Sequence, residues 1–403
     1  MKVLVLNCGS SSIKFKLYDM PSGQAVARGS VQRIGEDTSE AILEADKTSQ
    51  KYQGKVVDHV HGLAKIEEML LDPEKGVIRS VDEIGACGHR VVHGGEEVSG
   101  SVLITPEIVK IIEKNATLAP LHNPPNLQGI RAAEEMLGDI PQVACFDTAF
   151  HQTLPPVAYL YAIPYEMYQN YGIRKYGFHG TSHRYVARRA AKLMNKDKYA
   201  VDLVTCHLGN GCSMTAVKGG KSIDTSMGLT PLEGLVMGTR AGDLDASVVF
   251  FLEQQGFETK EIDRLFNKRS GLLGISGISN DVRDLEKRAA GGHDRAQLAL
   301  DIFAYKIKKY IGLYSAVLNG CDAIVFTGGI GENGTKMRRR ILQNMENLGI
   351  ILDETKNDQL MGEEGEIGTP DGTVRIFVIP TDEEIAIAGD TFEIATEIES
   401  KST

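Results

Sequence analysis

The chain uses one short pattern twice, and this repeat limits the folds open to it. Residues 3–17 comprise an apolar run at 3–6, a small hydroxyl-rich turn, and a segment at 13–17 that is apolar at every second position. Residues 202–217 repeat the order of strand, Gly/Asn/Ser turn and strand. Both halves continue as alternating helices and strands. The pattern therefore predicts an internally duplicated α/β unit.

Length and composition set the broad class. A chain of 403 residues is long enough for two domains. The net charge of −10 argues against a nucleic-acid-binding surface, which needs a basic stripe. No window approaches the roughly 18 apolar residues of a membrane-spanning helix, so no membrane segment is predicted.

The six cysteines are scattered, and none forms a Cys-x-x-Cys pair. Several lie in or beside apolar, strand-like runs. This pattern is typical of reduced, small core residues in a cytoplasmic protein, and it argues against a disulfide framework or a zinc site.

The turn after the first strand has the composition of a phosphate site. Its backbone N–H groups can converge on one anion, with Ser10, Ser12 and Lys14 beside them. Asn7 offers an amide oxygen that suits a hydrated Mg²⁺. An ordinary hairpin with a Gly-Ser turn explains this stretch equally well, since it is not a Walker A loop.

Two further glycine-rich turns, Gly209–Ser213 and Gly328–Asn333, also follow apolar strands. Ligands of α/β sheets bind at the carboxyl ends of the strands, so three such turns predict a binding edge. The third turn could pack its bare backbone against a nucleotide base or ribose.

Isolated charged residues in glycine- and histidine-rich loops are the candidates for chemistry. Arg90 and Arg240 suit bidentate binding of a carboxylate or phosphoryl group, although many arginines simply lie on solvated faces. His179 precedes a predicted helix with Thr181 as its N-cap, a position from which it can donate to an anion. The pair His179 and His183 lacks the acid of a His-Glu-x-x-His zinc site.

Two acids complete this set. Asp147 ends a buried strand. Glu383 could bind a metal ion, or it could be a first-turn acid that complements a helix dipole. Both explanations stay open from the residues alone.

Several helices can be located in advance. Three prolines predict an irregular, extended loop over Leu118–Asn126, with a helix following at Leu127–Leu137. A helix is predicted over 334–348, and Pro155–Pro156 marks the expected domain crossover. A long helix is predicted over Arg295–Leu318, with a buried face made of Leu298, Ile302, Tyr305, Ile307 and Ile311.

Taken together, these motifs resemble the acetate kinase family of the acetate/sugar kinase, heat-shock chaperone and actin superfamily. The resemblance covers essentially the whole chain, and its most specific segments are 5–14, 88–95, 119–126, 146–152, 176–183, 207–211 and 329–333. It implies an α/β fold of two duplicated ribonuclease-H-like (actin-like ATPase) domains around a central cleft. The N-terminal domain is 1–150, with helix 384–403 packing back on it, and the nucleotide-binding domain is 151–383.

The resemblance also implies an activity, a cytoplasmic homodimer and ligands. The expected reaction is phosphoryl transfer between ATP and acetate, giving ADP and acetyl phosphate, with Mg²⁺ or alternatively Mn²⁺. No nucleic acid or membrane partner is expected. The rival hypotheses are a propionate or other short-chain acyl kinase, which differs only in pocket shape, and an actin- or chaperone-like ATPase that serves binding.

Site roles carried over by the resemblance fall into four groups. The metal residues are Asn7 and Glu383; the catalytic residues are Asp147, His179, Arg240 and Arg90; the substrate pocket is Arg90, Val92, Leu121, His122, Phe178 and Pro231. The nucleotide residues are Ser10, Ser12, Lys14, His207, Leu208, Gly209, Asn210, Gly211, Asp281, Val282, Arg283, Gly329, Ile330, Gly331, Glu332 and Asn333. One departure is Asp382, where the family is expected to have Asn; it adds a charge beside the proposed metal site.

Overall fold

The computed structural model describes residues 1–46 and 48–402, and the chain forms two compact units. The first unit is Met1–Gln152 together with the segment from Asp382 to the C-terminus, and the second is Thr153–Thr381. No helix among the described residues has the length and apolar character needed to cross a membrane. Elements are numbered in chain order.

The first unit is built on a mixed sheet with helices on both faces. Its strands are β1 (Lys2–Gly9), β2 (Ser12–Asp19), β3 (Gln24–Gln32), β4 (Ser39–Ala45), β5 (Thr48–Gly54), β6 (Ile84–Val91), β7 (Val102–Leu103) and β8 (Gln142–Phe146). Its helices are α1 (His59–Leu70), α2 (Pro106–Lys114), α3 (Asn123–Leu137) and the C-terminal α15 (Glu383–Ser402).

The second unit has a smaller sheet and more helices. Its strands are β9 (Asp202–Leu208), β10 (Cys212–Lys218), β11 (Lys221–Thr225), β12 (Ala323–Thr327), β13 (Gly365–Glu366) and β14 (Arg375–Val378). Its helices are α4 (Pro156–Tyr159), α5 (Tyr165–Tyr171), α6 (Gly180–Leu193), α7 (Ser247–Gln254), α8 (Thr259–Lys268), α9 (Gly271–Ser276), α10 (Val282–Ala290), α11 (Asp294–Leu318), α12 (Gly328–Asn333), α13 (Thr335–Leu342) and α14 (Glu354–Gln359).

The two sheets share one topology, which accounts for the repeat in the sequence. The first sheet runs β5-β4-β3-β2-β1-β6-β8-β7 and the second runs β11-β10-β9-β12-β14-β13. In each, an antiparallel hairpin (β1–β2 or β9–β10) is extended by two parallel strands and a short antiparallel edge strand. The predicted duplicated α/β fold is therefore confirmed.

Burial on both faces explains why β1 is apolar almost throughout. Leu4, Leu6 and Cys8 pack into the core that contains α1 and α3. Val3 and Val5 point to the opposite face and pack against α15. Successive side chains of a strand alternate between faces, so a strand covered on both sides needs apolar residues at every position.

One predicted loop is partly wrong. Residues 118–126 were expected to be irregular, but α3 begins at Asn123 and includes Pro124 and Pro125 in its first turn. The first turn of a helix has N–H groups with no partner inside the helix, so proline loses nothing there. The helix predicted over 334–348 is also shorter than expected. Helix α13 ends at Leu342, because the backbone of Gln343 is no longer helical.

The buried face predicted for α11 is also wrong in part. Ile307 and Ile311 are buried, but Leu298 and Tyr305 are 51% and 61% exposed. The observed buried stripe consists of Ala296, Ala299, Leu300, Phe303, Ala304, Ile307, Ile311, Tyr314 and Leu318. The predicted face lies to one side of this stripe, since it contains Leu298 and Tyr305 in place of the buried Leu300 and Phe303.

Leu298 and Leu300 give a matched test of this corrected face. Leu300→Ala should lower the free energy of unfolding by about 2–5 kcal/mol, because it leaves a cavity under a fully buried side chain. Leu298→Ala should change it by less than about 0.5 kcal/mol. Urea denaturation of the two variants measures both values, and a larger loss for Leu298→Ala would contradict the observed face.

Candidate functional site

Three polar side chains of the first unit meet at one edge of its sheet. On β1, β6 and β8, the residues Val5, Gly88 and Cys145 lie on the face covered by α15. Two positions further along each strand, at the carboxyl ends, are Asn7, Arg90 and Asp147. Because side chains alternate and the three strands are parallel, these residues share the α15 face and the same edge.

Arg90 is the centre of this group. Its guanidinium donates to both oxygens of Asp147, with Nε–Oδ1 at 3.0 Å and Nη2–Oδ2 at 2.6 Å. Its Nη1 lies 3.4 Å from Asn7 Oδ1, and its Nε lies 3.7 Å from Glu383 Oε2. Asp147 is 2% exposed, so the bidentate pair is sheltered from water and holds the arginine in a fixed orientation.

Neighbouring charges perturb this group strongly. The carboxylate of Asp147, with a smaller contribution from Glu383, raises the pKa of Arg90 above its ordinary value. Burial raises the pKa of Glu383 to about 7, and the nearby carboxylates add to this rise while Arg90 opposes it. Negative charge at this edge is therefore only partly compensated.

Asp382, the residue that departs from the expected pattern, is satisfied locally. Its Oδ1 accepts from Lys16 Nζ at 3.2 Å and from the backbone N–H of Ile385 at 3.1 Å. Lys16 also lies 3.4 Å from Glu384 Oε2. Asp382 therefore caps the start of α15, and Lys16 offsets part of the added charge.

The donors at this edge suit a hard cation. Asn7, Asp147 and Glu383 present amide and carboxylate oxygens, which Mg²⁺ prefers, and the four carboxylates of this edge form ion pairs with Arg90 and Lys16. Among residues 1–46 and 48–402, no group of three or more His, Cys, Asp or Glu side chains is placed to enclose a metal ion. A hydrated Mg²⁺ fits because it keeps several waters and needs few protein ligands.

In the second unit, His179 belongs to a chain of hydrogen-bonded polar side chains. It is the N-cap of α6 with φ +57°, so the predicted N-cap, Thr181, lies inside the helix instead. His179 Nδ1 lies 2.8 Å from Ser213 Oγ, which also lies 2.7 Å from His183 Nε2. The His179 ring stacks on His207 with centroids 4.2 Å apart. These contacts fix the orientation of the imidazole.

His179 and Arg240 come together over Gly211. A Cβ atom added to Gly211 would lie 3.6 Å from His179 Cε1 and 3.7 Å from Arg240 Nη1. Arg240 is partly buried, and burial lowers its pKa. It pairs with no carboxylate within the described part of the chain; its Nη1 contacts Met237 Sδ at 3.8 Å. A sheltered guanidinium without a counterion is suited to bind an anion.

A cavity of about 680 Å³ lies beside this group, within the size range of small-molecule sites. Among the predicted nucleotide residues, Gly209, Asn210, Asp281, Val282, Arg283, Gly329, Ile330 and Asn333 line it. Asn210 connects the cavity to the Arg240 loop, because its carbonyl accepts from Gly238 N at 3.0 Å and its Oδ1 accepts from Asn280 Nδ2 at 3.0 Å.

Sequence reasoning missed other lining residues, namely Asn280, Glu286, Gly334, Thr335, Lys336 and Met361. Thr335 and Lys336 directly follow the third glycine segment, so extending that motif would have found them. Nothing local in the sequence distinguishes Met361.

Other predicted nucleotide residues are not among those that line the cavity and instead make hydrogen bonds or core contacts. The third glycine turn is the short helix α12, and Glu332 Oε1 accepts from the N–H groups of Gly328 at 2.8 Å and Thr381 at 3.0 Å. The fully buried Arg338 donates to the carbonyls of Gly331 and Glu332. Leu208 is fully buried and Gly331 is buried too, while His207 Nδ1 lies 2.8 Å from Ser182 Oγ.

The remaining predicted residues are divided between the units. In the first unit, Ser10 and Lys14 are exposed, and Ser12 is partly buried. Val92 is 5% exposed, whereas Leu121 is 67% exposed and His122 is also exposed. In the second unit, Phe178 is buried and Pro231 is partly buried. A shared substrate pocket of these residues stays a prediction.

Comparison with known proteins assigns the family. The model of the acetokinase family matches residues 2–389. The chain belongs to the acetokinase family. A relative named acetate kinase, from Methanosarcina mazei, is 55% identical, and the match covers 100% of this chain and 99% of the relative.

Solved structures agree with this assignment to the acetokinase family. The crystal structure of Porphyromonas gingivalis acetate kinase matches with a TM-score of 0.94 at 47% identity, over 98% of this chain and 99% of that one. The crystal structure of a propionate kinase from Francisella tularensis matches with a TM-score of 0.90 at 42% identity, over 98% of this chain and 99% of that one. The predicted family is confirmed, and the chain is a kinase with ATP and ADP as co-substrates.

His89, the neighbour of Arg90, points to the opposite face and has a distinct electrostatic role. Its Nε2 donates to Gln142 Oε1 at 2.7 Å, and the side chain is 3% exposed. Burial lowers the pKa of His89 from 6.5 to about 4, and the hydrogen bond to Gln142 opposes this shift only partly. The ring is therefore neutral in the folded protein near pH 7.

This depressed pKa predicts an acid-dependent loss of stability. The unfolded chain binds a proton at His89 below about pH 6.5 and the folded chain only below about pH 4, so the stabilisation is present above pH 6.5 and is lost as the pH falls to 4. The lost free energy is about 3 kcal/mol. His89→Gln should lose stability less steeply over this range in urea titrations, and equal slopes would contradict the assignment.

Proposed function

We propose that this chain catalyses the reversible transfer of the γ-phosphoryl group of ATP to acetate, giving acetyl phosphate and ADP. The observation that carries the proposal is Arg240, a sheltered guanidinium that pairs with no carboxylate among the described residues and shares the surface of Gly211 with His179 beside the cavity. This pair can stabilise negative charge on a phosphoryl group in transfer.

The acceptor needs no general base. Acetic acid has a pKa of about 4–5, so acetate is already ionised at pH 7. Its carboxylate oxygen can attack the γ-phosphorus directly, while the bond from that phosphorus to the β–γ bridging oxygen breaks. Asp147 uses both carboxylate oxygens to accept from Arg90. Its role is therefore to orient Arg90 toward the acceptor carboxylate, not to remove a proton.

The metal assignment follows from the donors of the first unit. Asn7 and Glu383 would hold a hydrated Mg²⁺, or Mn²⁺ in its place, with Asp147 close by. When bound, the ion supplies positive charge that offsets the phosphate oxygens. Asn7 and Glu383 would orient its waters, and Arg90 is held by its two hydrogen bonds to Asp147.

The nucleotide would occupy the cavity of the second unit. Residues 281–283 and 329–330 form walls suited to the adenosine part, and Lys336 adds a positive charge. We place the phosphate end of the nucleotide at the Gly209–Gly211 turn.

We also propose that the enzyme is a homodimer. Helix α7 has no buried residue, and its Phe250 and Phe251 are 62% and 60% exposed. Aromatic residues on an exposed helix of this kind favour burial against a second copy of the chain.

Removing either site arginine should slow turnover with the fold intact. Arg90→Ala and Arg240→Ala should each reduce kcat by at least ~10²-fold, because each deletes a donor to developing charge. The controls are Arg131→Ala and Arg288→Ala, which truncate exposed arginines of the first and second unit. Their kcat should stay near the wild-type value. Near-normal kcat in both site variants would refute the roles given to Arg90 and Arg240.

An assay of acyl phosphate formation with acetate, propionate and butyrate tests the function itself. Val92 is buried and leaves less room for an acyl chain than Ala or Gly would. The value of kcat/KM should be higher for acetate than for propionate. The ratio should correspond to about 1–3 kcal/mol, the usual contribution of one methylene group to discrimination between substrates.

Val92→Ala should narrow this preference, since it removes the bulk that limits chain length. An optimum at propionate would favour the propionate kinase alternative. ATP hydrolysis with no dependence on any short acid would instead indicate an actin- or chaperone-like ATPase.

A further inference from the structure

The segment Asn123-Pro124-Pro125-Asn126 has no role in the site described above, although it opens α3. Both asparagines are buried, at 0% and 5% exposure. Pro124 and Pro125 have no N–H groups, and the backbone N–H groups of Asn123 and Asn126 donate to Ala119 O and His122 O, each at 3.0 Å. The carboxamides of Asn123 and Asn126 are therefore free to bond to neighbouring segments from the buried first turn of α3.

Asn126 joins two strands that carry site residues. Its Oδ1 accepts from the backbone N–H of Val92 at 3.1 Å, and its Nδ2 donates to the carbonyl of Cys8 at 2.8 Å. Cys8 directly follows Asn7 on β1, and Val92 lies two residues after Arg90. One side chain thus holds the ends of the two strands from which Asn7 and Arg90 project.

This bridge lies where the strand ladder stops. The parallel pairing of β1 with β6 ends at Leu6 opposite His89, before Cys8 and Val92 are reached. Beyond that pair, the Asn126 carboxamide accepts from one strand and donates to the other, as a peptide group of an inserted strand would. The gap that it spans has a fixed width because the carboxamide is rigid.

Two neighbouring features hold Asn126 in place. Asn123 accepts from His93 N at 3.1 Å and donates to the carbonyls of His93 at 2.9 Å and Ile112 at 3.0 Å. One turn after Asn126, Gly129 permits close packing on β1, because a Cβ atom there would lie 2.3 Å from Cys8 Sγ. A short side chain can therefore reach both strands.

We propose that Asn126 is a positioning residue for the acceptor side of the reaction, an inference that rests on the proposed function. By setting the separation of Cys8 and Val92, it fixes Asn7 relative to Arg90 and places Val92 for the acyl group. A displacement of about 1 Å at such positions can cost up to about 10²-fold in rate.

Steady-state kinetics of Asn126→Ala and Asn126→Asp test this role. Asn126→Asp keeps the shape and the acceptor but replaces the donor to Cys8 with a charged oxygen. In both variants KM for acetate should rise at least about 10-fold and the preference over propionate should shrink, while KM for ATP changes less than about twofold. Ser39→Ala is the control, because it also removes a fully buried side chain that bridges two segments. The Ser39 hydroxyl donates to Arg33 O at 2.9 Å, after β3, and accepts from Val56 N at 3.2 Å, after β5.

Purely structural damage would give a different result. It would lower stability and change both KM values together, as is expected of Ser39→Ala, and this outcome in the Asn126 variants would overturn the proposal. A second readout does not depend on turnover: in Asn126→Asp, amide hydrogen exchange should accelerate in peptides covering 7–10 and 91–95 but not in 2–6. Unchanged exchange there would also refute the bridge, whereas wild-type enzyme inactive with every short acid would refute the proposed function alone.

Discussion

The paired contact between Arg90 and Asp147 is the interaction around which the first unit is organised. It requires β6 and β8 to end together, Asp147 to be shielded from water, and α15 to begin beside them. A half-buried arginine held by two hydrogen bonds to one buried carboxylate is restrained from turning toward other anions. The pair therefore converts a sheet edge into a fixed positive group, which a reaction between two anions needs.

The same topology serves different chemistry in the second unit. At the end of β12, which corresponds to β6, the chain has Thr327 and a glycine instead of an arginine. The carboxylate that follows, Glu332, accepts from backbone N–H groups and so stabilises the turn. With its acid used in this way, this edge presents mainly backbone, and positive side chains come from other segments, Arg240 on a separate loop and Lys336 on α13.

The architecture could be predicted from the sequence because it depends on local patterns, whereas the roles of the site residues came from the family resemblance and stay predictions. Apolar runs identified the central strands, and the alternation of side chains places Asn7, Arg90 and Asp147 on one face once the strands are known to be parallel. The errors arose where packing decides. The buried face of α11 depends on alanines such as Ala299, and α3 begins in its Asn-Pro-Pro-Asn segment because that end is buried with its asparagines bonded. Met361 reaches the cavity through tertiary structure alone.

Asp382 shows how tertiary contacts change the meaning of a charge. Next to Glu383 in the sequence, it suggests a more negative and weaker metal site. In the fold its carboxylate caps α15 and pairs with Lys16. When Asp147, Asp382, Glu383 and Glu384 are all ionised beside Arg90 and Lys16, the group carries −4 + 2 = −2, and the raised pKa of Glu383 makes this state less populated near pH 7 unless a cation offsets it. A divalent cation would offset this excess. In the proposed mechanism Arg90 would orient the acceptor carboxylate, and the metal ion would balance the carboxylates around it.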